Sequence, residues 1–266
     1  VAAVSITVAC GNGEPVEDRS ELAAADENSQ ARQPGESFAE AEGRFSANLS
    51  DIQRASYLNL HSVRSLAVAA SAVDYSVLPE WDSVEQATKA FEAVRDRRFL
   101  TSEAQPDFLR RSTWLYPDNG CYARADLGVR NLALYRYPAA GKIFIFGDLA
   151  LVTRNSPSGY VEYWYHVAVA LRVGDAVLVL DPAVDATQPL QVAEWIARLK
   201  GNSQALTLTV CKSSAYGPFS SCLSGVGAES ARALDDQTRF LDAEWQRLID
   251  LGRDPVTELG DAPPWL

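Results

Sequence analysis

Apolar and polar positions alternate most clearly in the second half of the chain. Residues 142–147 (Lys-Ile-Phe-Ile-Phe-Gly) and 149–153 read as two short strands, and residues 160–172 as a long one. Asn155-Ser156-Pro157-Ser158-Gly159 forms a turn between them, and Gly174-Asp175 makes a tight hairpin into a strand over 176–180. A further strand is expected over 205–211. Helical spacing appears elsewhere. Val84, Ala87, Phe91 and Val94 share one face behind the cap offered by Asp82-Ser83. Residues 123–134 are helix-compatible directly after a Pro117-Asp118-Asn119-Gly120 turn. Residues 189–199 and 229–251 also read as helices, the second as one long surface helix, and Pro263-Pro264 closes the fold. Helices flanking an antiparallel sheet make the fold class α+β.

The N-terminal third is different. Residues 11–44 are rich in Glu, Asp, Ala, Ser and Gln with Phe38 as the lone aromatic, which predicts a disordered acidic linker. Asn48 or Ser50 can cap a helix over 52–60, and the Ala-rich stretch 61–73 continues it until Pro79 breaks the pattern. The expected organisation is therefore an export-signal remnant (1–10), the linker (11–44), a helical segment and candidate pro-region (45–78), and a catalytic domain (79–266). No internal repeat is visible.

Composition narrows the function. The 266 residues are 47% hydrophobic, enough for a sizeable core, and the net charge is −11 with no basic cluster, which disfavours nucleic acid as a partner. No run of eighteen apolar residues exists, so no transmembrane helix is expected. Residues 1–10, ending Val-Ala-Cys, look like the tail of an export signal. Cys10 is then a candidate lipidation site, with an ordinary export signal or a short strand as alternatives.

Four cysteines and two histidines remain to be assigned. Cys211 and Cys222 bracket a Ser/Gly-rich loop, and export favours a disulfide between them over two free thiols. The spacing offers no metal site, and no cofactor is implied. Cys121 is left over. Its place at a helix start favours a thiolate through the unpaired amides and the dipole. His166 lies in an aromatic strand, where alternation groups it with Trp164, Ala168 and Ala170 and turns Tyr163, Tyr165, Val167 and Val169 the other way. Asp181 ends the next strand. A hairpin centred between Gly174 and Asp175 sets residue 181 opposite 168, one diagonal step from His166. A thiol, an imidazole and a carboxylate in that order suggest nucleophilic catalysis. His61 has no assigned role.

Tyr116-Pro117-x-x-Gly120-Cys121-Tyr122-Ala123-Arg124-Ala125, Phe146-Gly147-Asp148-Leu149, Trp164-Tyr165-His166-Val167-Ala168 and Leu180-Asp181-Pro182 together resemble the bacterial protein-glutaminases. The resemblance implies a Cys–His–Asp triad on a fold similar to transglutaminases and papain-like enzymes, and hydrolysis of glutamine side chains in proteins to glutamate and ammonia. Cys121 would be nucleophile, His166 base and Asp181 the orienting carboxylate. Trp164, Tyr165 and Asn119 are candidates to line the substrate slot, with simple sheet packing as the alternative for Trp164 and Tyr165. Arg124, one turn into the helix, is expected to form a structural ion pair, with positioning of a substrate carbonyl as the alternative. Secreted members carry a pro-segment that occludes the site, to which residues 11–78 show no recognisable likeness. The implied partners are proteins or peptides with exposed glutamine, met by an exported monomer. Transglutaminase-type acyl transfer, cysteine proteolysis and a non-enzymatic surface lipoprotein are the rival readings.

Overall fold

The computed structural model describes residues 29–201, 205–223 and 229–266. Cys10, with the export-signal remnant expected over 1–10, and residues 11–28 of the expected linker lie outside them. Chain order runs α1 (Phe38–Ala47), α2 (Asp51–Tyr57), β1 (Val68–Ala69), α3 (Val84–Asp96), α4 (Cys121–Leu134), β2 (Gly141–Val152), β3 (Tyr160–Val173), β4 (Ala176–Leu180), β5 (Leu190–Gln191), α5 (Val192–Leu199), β6 (Thr207–Cys211), α6 (Glu229–Thr238), α7 (Leu241–Asp250) and α8 (Pro255–Leu259). The strands form one sheet of order β1-β6-β2-β3-β4-β5 with every pairing antiparallel, so the expected α+β class holds.

Side-chain alternation splits the core between the two faces of the sheet. Phe144, Phe146, Tyr165 and Val167 pack with Tyr122 and Ala125 of α4. Ile143, Ile145, Ala168 and Ala170 pack with Trp195 and Leu199 of α5 on the other side. A third cluster joins Phe91 and Val94 of α3 to Leu132, Val169, Leu171 and Leu180. Val84, expected on the buried face of α3, is exposed because it sits in the first turn, beyond that contact. Gly128 lets α4 lie close on β3: a Cβ there would stand 3.0 Å from a Val169 methyl. A buried pair, Lys142 Nζ to Asp126 Oδ1 at 2.8 Å, ties α4 to β2, and Lys142 also donates to the Ala215 carbonyl.

Several elements differ from the sequence expectation. The two strands expected over 142–153 are a single β2 carrying a bulge. Phe146 pairs with Tyr165 and Leu149 with Tyr163, so two β2 residues oppose Trp164 alone. That irregularity breaks the expected facing. Trp164 joins the cluster that holds Tyr165, while Tyr163 stacks on His166 with ring centroids 5.4 Å apart. The single helix expected over 229–251 is two, broken before Leu241. It is not a mere surface element, because Leu241, Glu244 and Leu248 are buried.

The largest departure lies at the N-terminal end. Residues 29–44 are folded rather than a disordered linker. Ser37 and Glu40 form a capping box that starts α1, and Phe38, Ala41 and Phe45 give that helix an apolar stripe. Residues 61–73 form no α-helix, only a single 3-10 turn at Ala70–Ala72. Strand pairing overrides their alanine content: β1 joins β6 at the sheet edge, and Val63 and Arg64 bond to the Ser220 and Pro218 carbonyls. Residues 29–78 thus contribute to the same sheet and core as residues 79–266, with no break at 79. The Cys211–Cys222 disulfide links the end of β6 to the loop against which this segment lies.

Candidate active site

Cys121 is the first residue of α4. Gly120 caps the helix at φ +80°, a left-handed conformation that L side chains resist, and a Cβ there would meet the Phe240 ring at 2.9 Å. Arg124, one turn on, fastens the preceding loop. Its Nη1 donates to the carbonyls of Thr113, Tyr116 and Asn119 at 3.3, 3.1 and 2.6 Å. It therefore binds main-chain oxygens instead of the carboxylate expected of an ion pair. The loop is held from outside by a buried Arg110–Glu244 pair at 2.5 Å and by Glu244 accepting from the Leu115 amide at 2.9 Å.

The β3–β4 hairpin has the predicted register, Val169 opposite Leu180. It brings His166 Nε2 to 2.8 Å from Asp181 Oδ2, both buried. With Nε2–H donated to the carboxylate, Nδ1 is the basic nitrogen, and among the described residues it has no hydrogen-bond partner. Trp195 Nε1 donates to the same Asp181 oxygen at 2.8 Å. Burial raises the Asp181 pKa, but the charge and hydrogen bond of His166, with the Trp195 bond, more than offset this and hold it below the ordinary value. The thiol meets the amide of Val167, next to His166 on β3, and the Tyr165 hydroxyl.

The expected thiolate does not describe Cys121 in this state. Burial pushes the thiol up to about 12, against the opposing pull of Arg124, the Val167 amide and Tyr165. A strap, residues 29–36, that sequence reasoning left in the linker reaches the site through Gln30. The strap adds to the open edge of β3 beyond the reach of β4. The Trp164 amide donates to the Gln30 carbonyl at 3.0 Å and the Arg32 amide to the Glu162 carbonyl at 3.0 Å. Arg32 also pairs with Glu162 at 2.9 Å and Asp148 at 3.2 Å. Arg44 of α1 grips the Ala31 carbonyl and Glu36.

The Gln30 side chain enters the site and is fully buried. Its Oε1 accepts the Cys121 main-chain N–H at 3.0 Å, and its Nε2 donates to the Pro117 carbonyl at 2.9 Å. Tyr163 donates to the same carbonyl at 2.9 Å. A carboxamide is thus read at both ends beside the thiol.

Of the expected slot residues, Tyr165 reaches the thiol. Trp164 is buried beneath Phe45, with centroids 4.7 Å apart, and its Nε1 donates to the Ser29 carbonyl. Asn119 turns its Oδ1 back to the Gly120 amide at 2.8 Å. Gln30 and Trp195 were not anticipated. The Ser37-x-x-Glu40 box before the Phe38, Ala41, Phe45 stripe was the one signal that residues near Gln30 fold.

Among the described residues no group of histidine, cysteine and carboxylate side chains is arranged to hold a metal, and no helix is long and apolar enough to cross a membrane.

Comparison with known proteins sets a family beside this geometry. The family model described as Glutaminase matches residues 87–199, a stretch that contains Cys121, His166, Asp181 and Trp195. A crystal structure of a protein-glutaminase is 22% identical, with 62% of this chain and 89% of the other covered and a TM-score of 0.45. A crystal structure of a pro-protein-glutaminase is 18% identical, with 72% and 67% covered and a TM-score of 0.48. An NMR structure of protein-glutaminase from Chryseobacterium proteolyticum is 19% identical, with 70% and 92% covered and a TM-score of 0.46. Comparison with curated proteins finds no match.

Proposed function

We propose that the protein, whose residues 87–199 match the family model described as Glutaminase, hydrolyses the side-chain amide of protein-bound glutamine to glutamate and ammonia, with Cys121, His166 and Asp181 as its triad. The observation that carries this reading is the carboxamide of Gln30, oxygen on the Cys121 amide and nitrogen on the Pro117 carbonyl. A pocket with that pair of partners accepts an amide and disfavours a carboxylate, since one of the two carboxylate oxygens would face a carbonyl with no hydrogen to share.

The chemistry follows from this pose. His166 Nδ1 removes the thiol proton and the thiolate attacks the side-chain carbon. The Cys121 amide at the helix start stabilises the oxyanion that develops on the substrate oxygen. His166 protonates the departing ammonia. Water, activated by the same imidazole, then opens the thioester. Asp181 and Trp195 fix the imidazole tautomer. A protein substrate would enter as an extended segment along the β3 edge used by residues 30–32, with Tyr165 at the reacting centre and Trp164 forming the wall once α1 moves away. The Cys211–Cys222 disulfide supports export, since such bonds persist in oxidising compartments. Lipid anchoring through Cys10 and action as a monomer complete the proposal.

The test is ammonia release from a casein-type protein by the wild-type chain and by Cys121→Ala. Release by the first and not the second, with each modified glutamine about 1 Da heavier, is the expected result. Crosslinked product would point to transglutamination and new N-termini to proteolysis. Equal release by both chains would end the reading.

A further inference from the structure

The strap does more than cover Cys121; it presents the group that the proposed chemistry consumes. We propose that Gln30 is the enzyme's own first substrate, deamidated within the same chain, and that the glutamate formed there loosens the strap from the β3 edge. This rests on the deamidase reading above.

Three observations support it. The Gln30 amide is held at both ends, its oxygen on the Cys121 main-chain N–H and its nitrogen on the Pro117 carbonyl. Strand pairing of residues 30–32 with Glu162 and Trp164 fixes its register, so the reaction is unimolecular and its encounter entropy is already spent. A cleft of about 330 Å³ runs beside the strap, lined by Ala31, Arg32, Asp118, Tyr160 and Glu162, so water borders the strap along its length.

The step balances with water as its one co-reactant. The Cys121 Sγ–Gln30 Cδ bond forms, the Cδ–Nε2 bond breaks, and the thiol proton leaves through His166 on ammonia. Water then cleaves the thioester, restoring the thiol and leaving Glu at position 30. The product no longer fits. The Tyr163 hydroxyl already serves the Pro117 carbonyl, and the oxygen replacing Nε2 has no proton to offer it. The new charge lies in a buried site that already contains ionised Asp181. Arg32 and Arg44 hold the strap by its flanks, on Asp148, Glu162, Glu36 and the Ala31 carbonyl, and neither bonds the residue 30 side chain.

Residue 30 is read by fragmentation of the tryptic peptide 20–32, which separates it from Asn28. Purified wild-type chain is compared with Cys121→Ala, and an isotope-labelled Cys121→Ala chain is also incubated with wild type. The expected result is Glu at position 30 in wild type only, with the labelled chain keeping Gln30. Conversion of the labelled chain would overturn reaction within one chain. Gln30 intact in a wild-type preparation that deamidates casein would overturn self-deamidation and leave the deamidase reading standing. Gln30 intact with no casein activity would remove both. Strap release is read with Gln30→Glu: trypsin should cut after Arg32 at least tenfold faster than in Cys121→Ala, and casein turnover should start without a lag. Protection equal to that of Cys121→Ala would overturn the release step.

Discussion

Trp195 and Asp181 are joined by an indole N–H donated at 2.8 Å to the oxygen that also receives His166. The carboxylate is therefore held from two sides, and only one of its partners is the triad imidazole. Trp195→Phe keeps the ring in the core and removes the donor. Asp181 loses one of the interactions that depress its pKa, so it protonates at a higher pH as the solution is acidified. The acid limb of the activity profile should move to higher pH, and kcat should fall about tenfold, the scale of one hydrogen bond to a charged group. An unmoved acid limb would show that Trp195 only fills space.

The buried thiol gives a labelling prediction. With its pKa at about 12, about one Cys121 in 10⁵ is a thiolate at pH 7. In a His166→Ala background, which keeps Gln30 intact, iodoacetamide should modify Cys121 very slowly, with a rate that climbs as pH rises. Adding Arg44→Ala removes the grip on Ala31 and Glu36, and labelling should accelerate by about tenfold or more. Equal rates in the two chains would mean that the strap does not control access.

Gly120 predicts a stability difference. Gly120 and Gly35 both sit at φ +80°, but a Cβ at Gly35 meets nothing within 4 Å, whereas at Gly120 it meets Phe240. Gly35→Ala should cost only the left-handed backbone penalty of about 1–2 kcal/mol. Gly120→Ala should cost more, about 2–4 kcal/mol with the crowding included, and should lower activity by shifting the Cys121 amide. Thermal unfolding of the two variants checks the order, and equal losses would contradict it.

The parts of the site legible in the sequence were those set by local geometry. The Gly174-Asp175 hairpin fixed its own register, and counting outward from it brought His166 and Asp181 together. Cys121 stood out because a turn led straight into a helix. What escaped was set by distant contacts. Gln30 lies in an acidic stretch whose order comes from strand addition to β3 and from Phe38 and Phe45 closing over Trp164. Residues 61–73 have helix-forming composition but are captured by β6 and the 218–220 loop. The break before Leu241 leaves no mark in the periodicity. It follows from Phe240, which must turn inward to stack on Tyr116 with centroids 6.1 Å apart.

The strand pairing of residues 30–32 also bears on solubility. When that segment leaves, the Trp164 amide and the Glu162 carbonyl lose their main-chain partners, and an aromatic strip beside them meets water. Such an edge is a template on which another chain can grow. The uncovered molecule is thus the one most inclined to self-associate, and an extended client polypeptide on the same edge would keep it dispersed.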